Sequence, residues 1–322
     1  MDGLGVMSIL ITGGSGFIGH NLVEYFLAKK YSILYPSRKE LNLTDSESVE
    51  KYLKSNTIET IVHCATTRLD GKNYPSNTCE MNLRMFFNLQ KYKNPSTKLI
   101  NLGSGSEYAR AYWHKKMPEE YYDTHTPNDG HSYAKYLISK YIKQINKKDL
   151  ICLRIFGIYG RYEDYRYKFI SNAIVKNILK LPIVINQNVI YDYLYITDFC
   201  RIMEHFVNNN VKNVKNKIFN VCPTKSIDLI TIANIINKVS GYESEIRVLN
   251  ARIGVEYSGD NKKLLSEIGN FKFVSQENAI ADLFKYYSGL KDTLDVAAIK
   301  KDSYLQYAEK LCVNYFSKKN EK

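Results

Sequence analysis

Short apolar runs alternate with segments of helical periodicity through the first half of the chain. The runs lie at 9–11, 32–35, 60–64, 98–102 and 150–155, and the helical patterns at 17–27, 46–54, 77–92 and 132–145. Short apolar runs separated by amphipathic helices are typical of βαβ units. The pattern therefore predicts a parallel sheet with helices on both faces, whose ligands bind beyond the carboxyl ends of the strands.

The second half of the chain is less regular. It predicts helices at 168–179, 196–207 and 229–239, and strands near 183 and 189, at 218–221 and at 245–248. No repeat or low-complexity linker separates the halves, so we expect an α/β protein with a Rossmann-type, doubly wound parallel sheet and a smaller, interleaved α/β lobe. The sheet domain would span 1–165, with 188–222 returning to it, and the lobe would comprise 166–187 and 223–322.

A glycine-rich turn follows the first apolar run and precedes the first helical pattern. Glycines at this place permit a tight turn and let the backbone approach a pyrophosphate, which the free N–H groups of the new helix can hold. The GxxGxxG spacing is weak evidence alone, but a strand before it and a helix after it are the context that the motif requires. We expect a dinucleotide site here, with a purely structural turn as the alternative. The candidate cofactor contacts are Thr12, Gly13, Ser15, Gly16, Phe17, Ile18, Gly19 and, after the third strand, Ala65.

The residues after the second strand bear on which dinucleotide fits. An acidic side chain at this place usually holds the adenosine ribose of NAD. This chain has Ser37 and Arg38 instead, a hydroxyl and a guanidinium that suit the 2′-phosphate of NADPH. We therefore expect NADPH (NADP) as the cofactor. Asp45 fits either an adenine contact or the capping box that would begin the next helix.

A pair of side chains with proton-transfer chemistry lies on the predicted helix 132–145. Tyr136 and Lys140 are four residues apart and therefore share one helix face. A neighbouring ammonium favours phenolate, which makes a tyrosine hydroxyl a better proton donor to a developing alkoxide. Ser104 lies in the serine-rich turn after the fourth strand, where its hydroxyl either binds the reacting oxygen or completes the turn. Ser104, Tyr136 and Lys140 are the candidate catalytic residues.

Composition and charge narrow the possible partners. The 322 residues are 44% hydrophobic and 24% charged, which is ordinary for a globular protein. The net charge of +12 is spread without a long basic block, so we expect no nucleic-acid partner, although the charge favours an anionic substrate. The six cysteines form no CxxC pair or zinc-like cluster, and no apolar stretch reaches membrane-spanning length. We expect no metal, no membrane contact and a cytoplasmic location.

Several of these segments together resemble the extended short-chain dehydrogenase/reductases, the NAD-dependent epimerase/dehydratase family that acts on nucleotide sugars. Residues 12–19 are similar to its TGGxGFIG signature and 61–65 to its VxHxAA strand. Residues 153–160 resemble LRxxNxYG with glycine at the asparagine position, and 192–198 resemble RDYxxVxD with a tyrosine at the arginine position. Within the family, segment 37–45 resembles the NADPH-using nucleotide-sugar 4-keto reductases, the group that contains GDP-fucose synthase.

The resemblance implies a reaction. Dehydratases of the family carry Thr-Asp-Glu after the fourth strand, whereas this chain has Ser104, Gly105 and Ser106, so we do not expect dehydration. GDP-fucose synthase has a cysteine where Ser106 stands, and a serine is a much poorer acid and base, so we do not expect epimerisation at C3 or C5. The expected activity is NADPH-dependent reduction of the C4 ketone of a nucleotide-diphosphate sugar, GDP-linked by preference, in surface-polysaccharide biosynthesis. Ser104, Ser106 and Arg252 would contact the substrate, with Arg252 at its diphosphate.

Three alternatives remain open at this point. An NAD-dependent 4-epimerase would carry bound NAD and need no stoichiometric NADPH. A dehydrogenase would run in the oxidative direction, and a non-catalytic binding protein of the same fold would show no turnover. The resemblance also implies a homodimer through the helix of Tyr136 and the helix that contains Asn82.

Other residues are weaker candidates. His63 is predicted to pack within a strand, and His131 to lie in a loop, with a position beside the substrate as its alternative. The helical spacing of 297–322 predicts a helix docked on the body. A long insertion before the Tyr136 helix carries aromatic side chains that could line a sugar pocket, namely Trp113, Tyr121 and Tyr122.

Overall fold

The computed structural model describes residues 8–67, 73–209, 214, 216–306 and 308. Its strands are β1 (Ser8–Thr12), β2 (Ser32–Leu34), β3 (Thr60–His63), β4 (Lys98–Ser104), β5 (Leu150–Ile155), β6 (Gly157–Tyr159), β7 (Ile183–Gln187), β8 (Ile190–Tyr191), β9 (Tyr193–Tyr195), β10 (Ile218–Val221), β11 (Ile227–Asp228) and β12 (Ile246–Asn250). Its helices are α1 (Phe17–Ala28), α2 (Ser46–Lys54), α3 (Thr78–Tyr92), α4 (Gly130–Ile145), α5 (Phe169–Ile178), α6 (Ile196–Asn208), α7 (Leu229–Ser240), α8 (Lys262–Ile268), α9 (Gln276–Gly289) and α10 (Val296–Lys300).

Six strands form one parallel sheet in the order β10–β5–β4–β3–β1–β2. Strands β2 and β3 flank β1 on opposite sides, so the strand order reverses at β1. Open α/β sheets bind ligands beyond the carboxyl ends of the strands at such a reversal. The predicted α/β class and its parallel, Rossmann-type sheet are confirmed.

The sheet divides two hydrophobic cores. Successive residues of a strand point to opposite faces, so Ile9 and Ile11 of β1 enter one core and Leu10 enters the other. Helices α1 and α6 pack together, while α2, α3 and α4 pack in sequence against one another. Ile9, Leu10 and Ile11 are each at most 2% exposed, which explains why the middle of this strand is apolar at three consecutive positions.

The second half of the chain builds a smaller lobe and also completes the sheet. Parallel strands β7 and β12 pair in the lobe, where helices α5, α7 and α9 pack against one another. Strand β10 returns to the large sheet and pairs with β5. The two parts are therefore interleaved along the chain, and the residue boundaries of the domains stay a prediction.

The elements depart from the predictions in a few places. Strand β4 extends to Ser104, which pairs with Ile155, so this serine ends a strand instead of lying in the turn after it. The short strands β6, β9 and β11 have no counterpart in the sequence patterns. The helix predicted over 297–322 begins as α10 (Val296–Lys300), and residues 307 and 309–322 lie outside the described residues. No helix in the described part of the chain has the length and apolarity needed to cross a membrane.

Candidate active site

The glycine turn forms a tight corner between β1 and α1. Gly13 has a φ of 71°, and its carbonyl accepts a hydrogen bond of 2.9 Å from the Gly16 amide. A Cβ on Gly19 would lie 2.2 Å from the Gly13 oxygen, so only glycine lets the helix start this close to the strand. Gly16 caps α1 without a side-chain hydrogen bond, which leaves the first amides of this helix available to an anion.

A cavity of about 950 Å³ opens beside this corner. Its wall brings together predicted cofactor residues from three separate segments: the corner, the turn after β2 and the turn after β3. The corner is so tight that a single Cβ would fill it, and the free amides of α1 lie beside a large cavity. These features fit the pyrophosphate and the adenosine of a dinucleotide. The predicted residues on the wall are Thr12, Gly13, Ser15, Ser37, Arg38 and Ala65, and Gly16, Phe17, Ile18 and Gly19 begin α1 next to it.

Two acidic residues follow β2. The carboxylate of Asp45 caps α2 and accepts a hydrogen bond of 3.1 Å from the Glu47 amide, so the structure gives it the capping role. Glu40 was not foreseen, and it lines the cavity. Its carboxylate accepts a bond of 2.7 Å from the Ser37 amide, which lowers the pKa of Glu40 and holds the turn that carries Arg38.

Ser104 stands at the carboxyl end of β4 and is held from both its backbone and its side chain. Its hydroxyl lies 2.9 Å from the hydroxyl of Ser106 and accepts a bond of 3.1 Å from the Ser106 amide. Its own amide donates to Glu107 at 2.8 Å. The structure therefore brings Ser104 and Ser106 together and presents Ser104 at the edge where ligands of such sheets bind.

A buried ion pair between Arg154 and Glu107 holds the backbone of Ser104 in place. Arg154 and Glu107 are fully buried, and the Nε of Arg154 donates to the second carboxylate oxygen of Glu107 at 2.6 Å. The guanidinium also lies 4.0 Å from the ring centroid of Tyr122. Both oxygens of Glu107 are thus engaged, one by the Ser104 amide and one by Arg154. This carboxylate serves to position Ser104 and is not free to exchange protons with a ligand.

Aromatic side chains cover the same edge. Trp113 of the insertion stacks on Tyr257 with ring centroids 3.9 Å apart, and the Arg110 guanidinium lies 4.9 Å from the Trp113 ring. Burial raises the pKa of Tyr257, whose hydroxyl is hydrogen-bonded to Ser104. Tyr122 points elsewhere and donates at 2.6 Å to the carbonyl of Tyr136. The insertion therefore reaches the end of β4 through Trp113 and Arg110.

The structure brings Tyr136 and Lys140 together, with 3.2 Å between the ammonium and the hydroxyl. Both groups also meet Asp123, a residue that the sequence analysis did not single out. The Tyr136 hydroxyl donates to the Asp123 carboxylate, and Lys140 binds the same carboxylate oxygen at 3.1 Å. The hydrogen bond from Tyr136 lowers the pKa of Asp123, and the bond to Asp123 raises the pKa of Lys140.

The placement of His131 corrects the loop prediction. Asp129 caps α4 by accepting a bond of 2.9 Å from the Ser132 amide, so the helix begins at Gly130 and His131 lies in its first turn. Glycine at the first helical position concealed this start in the sequence. One turn further on, Lys135 is 7% exposed and donates to the Leu102 carbonyl of β4 at 2.6 Å. Lys135 was missed, although it lies on the apolar stripe of α4 with Ile138 and Ile142.

Two further residues named by the sequence analysis are His63 and Arg252. His63 is packed at the end of β3, where its Nδ1 lies 2.8 Å from the Thr12 hydroxyl and burial lowers its pKa to about 3. Arg252 is exposed in the segment that follows β12. Among the residues described, no group of three or more His, Cys, Asp or Glu side chains is arranged to hold a metal ion.

The reversed strand order, the glycine corner with its cavity and the serine at the end of β4 define a dinucleotide-binding α/β protein of the short-chain dehydrogenase/reductase class. Residues 9–222 match the model of the NAD dependent epimerase/dehydratase family, and the chain belongs to that family. It is thus a member of a family of NAD(P)-dependent enzymes that modify nucleotide sugars.

Relatives and solved structures match the chain over most of its length. GDP-L-colitose synthase of Yersinia pseudotuberculosis is 25% identical over 310 residues, which cover 89% of this chain and 99% of that protein. GDP-mannoheptose C4 reductase from Campylobacter jejuni, solved with NADP bound, has a TM-score of 0.74 and 18% identity, covering 88% of this chain and 99% of that one. UDP-glucose 4-epimerase from Thermotoga maritima, solved with UDP-glucose, has a TM-score of 0.74 and 20% identity over the same shares. The structural likenesses show the fold, which reductases and epimerases share.

Proposed function

We propose that this protein is an NADPH-dependent reductase of the C4 ketone of a nucleotide-diphosphate sugar, with a GDP-linked sugar as the preferred substrate. The observation that carries the proposal is the turn after β2, where Ser37 and Arg38 line the same cavity as the glycine corner. A guanidinium and a hydroxyl at the adenosine end of a dinucleotide site favour a 2′-phosphate over a free ribose hydroxyl.

The end of β4 supports reduction as the reaction. When bound, NADPH supplies the hydride that adds to the carbonyl carbon. Ser104 is oriented by Ser106 and Glu107, so its hydroxyl can bind the carbonyl oxygen and stabilise the negative charge that develops there. Glu107, the carboxylate that accepts the bond from the Ser104 amide, is buried against Arg154. Because both oxygens of Glu107 are already bound, this carboxylate is not available as the acid or base that elimination of water needs, and the site fits hydride addition better.

The proton for the substrate oxygen comes from helix α4 in this proposal. The sequence alone favours Tyr136, assisted by Lys140, as the donor pair, whereas the contacts of α4 favour a second pair on the same helix. Arg252 is proposed as a contact of the substrate diphosphate. A homodimer through α3 and α4 is part of the same proposal, because Phe87 of α3 packs edge to face on Tyr141 of α4 at 5.1 Å and is still 39% exposed.

The function is tested by offering the purified protein a panel of GDP-, dTDP-, UDP- and CDP-linked 4-keto sugars with NADPH. We expect loss of absorbance at the reduced-nicotinamide band with at least one sugar, and with the GDP-linked sugar first. Interconversion of 4-hydroxy epimers without consumption of NADPH would instead assign the protein as a 4-epimerase. No turnover with any sugar, together with salt-sensitive binding of RNA, would assign a binding protein.

Replacing Arg38 with alanine should reverse much of the preference for NADPH over NADH. Charge-assisted hydrogen bonds contribute about 1.5–3 kcal/mol, so the ratio of NADPH to NADH affinity should fall by about 10- to 100-fold. Fluorescence titration of both cofactors measures this ratio. Lys39→Ala is the matched control, since it removes the same charge from a neighbouring exposed residue outside the cavity wall. Equal effects of the two substitutions would show that Arg38 makes no specific contact.

A further inference from the structure

Helix α4 carries a second pair of residues four apart, on the side that faces the sheet. Lys135 is buried and its ammonium donates to the Leu102 carbonyl of β4 at 2.6 Å. An ammonium has three donors, so this bond leaves two for a ligand. Burial lowers the pKa of Lys135, because the charge is removed from water with a single backbone carbonyl as its hydrogen-bond partner. The lysine that reaches the sheet edge from α4 is therefore Lys135.

His131 lies one helical turn before Lys135 on the same face. Its ring stacks on Tyr74 with centroids 4.6 Å apart and planes 5° from parallel. Its Nδ1 is buried and has no hydrogen-bond partner within the described ranges. A buried polar atom without a partner is costly in a folded protein and is frequently explained by a functional role. With no acceptor at Nδ1, the single proton of the neutral ring is available at Nε2.

The geometry of helix and strand places His131 level with Ser104 along the direction of β4. Lys135 contacts Leu102, and Ser139 contacts Cys152, which pairs with Asn101, so α4 runs antiparallel to β4. One turn back along the helix advances roughly 6 Å. Two residues forward along β4, from Leu102 to Ser104, advance roughly 7 Å in the same direction. The two side chains therefore reach the same level of the sheet edge.

The charges around His131 suit proton donation from a neutral ring. The facing groups are Lys135 on the same helix, Asp129 at its cap, Arg110 of the insertion and Lys168 before α5. Burial lowers the pKa of His131 to about 4, and the three cations act in the same direction against the opposing effect of Asp129. The ring is thus neutral near pH 7. The same cations stabilise the negative charge that remains when a neutral ring gives up its N–H proton, and a neutral histidine near a helix N-terminus is a known electrophile for a carbonyl oxygen.

Tyr136 and Lys140 lie on another flank of the helix. Residue 136 is rotated about 100° from residue 135. The Tyr136 hydroxyl is bound to Asp123, and Lys140 is shared between that carboxylate and the tyrosine in an ion pair whose side chains are each 37% exposed. The Tyr136 hydroxyl, the Lys140 ammonium and the Asp123 carboxylate are thus hydrogen-bonded to one another. The cluster of Tyr136, Lys140 and Asp123 fastens α4 to the insertion.

We propose that His131, and not Tyr136, gives the proton to the substrate oxygen, and that Lys135, and not Lys140, binds the nicotinamide ribose. This inference rests on the proposed ketone reduction. A bound reduced nicotinamide would supply a hydride, which carries its electron pair, to the carbonyl carbon, and the π electrons of the carbonyl would move to the oxygen. That oxygen takes the N–H proton of His131, and the ring regains a proton from water. Ser104 holds the same oxygen by a hydrogen bond.

Three substitutions test the proton donor. His131→Phe keeps a ring against Tyr74 but removes the proton, and turnover should fall by about 10²- to 10⁴-fold. His131→Tyr supplies a hydroxyl at the same place and should recover at least tenfold over the phenylalanine variant. Tyr136→Phe should change turnover by less than about threefold. A large loss of turnover in Tyr136→Phe, together with a small loss in His131→Phe, overturns the assignment of His131 as the proton donor. Thermal unfolding of each variant establishes that it is folded, and His131→Gln replaces His131→Phe if that variant is not.

A binding measurement tests the lysine without any turnover. NADPH affinity, followed by protein fluorescence, should weaken by about tenfold or more in Lys135→Met and stay within about twofold in Lys140→Met, because a charge-assisted bond contributes about 1.5–3 kcal/mol. If Lys140→Met weakens NADPH binding more than Lys135→Met does, the inference is overturned. If the native protein reduces no 4-keto sugar, the proposed function fails, and this titration still decides which lysine meets the cofactor.

Discussion

Replacing Arg154 with methionine should destabilise the protein by about 3–5 kcal/mol, because the substitution leaves the Glu107 carboxylate buried without its cation. The methionine fills a similar volume but cannot donate to Glu107, to the Tyr108 hydroxyl at 3.1 Å, or stack on Tyr122. Urea unfolding measures this loss of stability, and we expect a lower urea midpoint in the variant. Activity should fall further than stability predicts, since Glu107 also accepts the bond that orients Ser104.

Two further variants make this result specific. Arg166→Met removes an arginine whose ion pair with Asp164 is exposed, at 45% and 41% of the two side chains, and should cost less than about 1 kcal/mol. Neutralising the stranded acid in the Arg154→Met, Glu107→Gln double variant should recover part of the lost stability. Equal urea midpoints for Arg154→Met and Arg166→Met would contradict the role given to the buried pair.

Replacing Gly19 with alanine should weaken NADPH binding by about one to two orders of magnitude. The new Cβ would meet the Gly13 oxygen at 2.2 Å and the Gly13 carbonyl carbon at 2.8 Å, so the start of α1 must move away from the corner. Overpacking of this kind costs about 1–3 kcal/mol, and each 1.4 kcal/mol is a tenfold change in affinity. The displaced amides are those that would hold the pyrophosphate. Calorimetric titration with NADPH measures the change.

Gly289→Ala is the control for this substitution. Gly289 ends α9 and has no atom within 4 Å of the position a Cβ would take, so this variant should bind NADPH normally. A comparison of thermal unfolding with and without NADPH separates loss of the site from loss of the fold, because a bound ligand raises the unfolding temperature by mass action. Undiminished binding in Gly19→Ala would refute the placement of the pyrophosphate at this corner.

The large sheet could be predicted from the sequence because five of its six strands are largely buried and therefore appear as short apolar runs. Helix α2 and strands β5 and β10 begin and end where the patterns predict. Strands β6, β9 and β11 could not be found in this way. They contain two or three residues, too few to show a period, and they form because tertiary packing brings their partners alongside.

Only part of the candidate site could be predicted from the sequence in this way. The glycine corner and the turn after β2 are contiguous motifs, and the structure brings both to one cavity. Helical spacing, in contrast, fits Tyr136 with Lys140 and His131 with Lys135 equally well. Which pair faces the sheet depends on how α4 is rotated, and that rotation is set by the burial of Ile138 and Ile142. Asp123 joins its partners only through the path of the insertion, which carries no periodic signal.

The place of β10 at the edge of the sheet has a consequence for biosynthesis. This strand pairs with β5, yet it leaves the ribosome only after β6 to β9 and two helices have been made. Until then the outer edge of β5 presents unpaired backbone groups, a hazard for aggregation in the nascent chain. The glycine corner and the turns after β2 and β3 all emerge earlier. A dinucleotide captured at that stage would stabilise the growing chain before translation has finished the sheet.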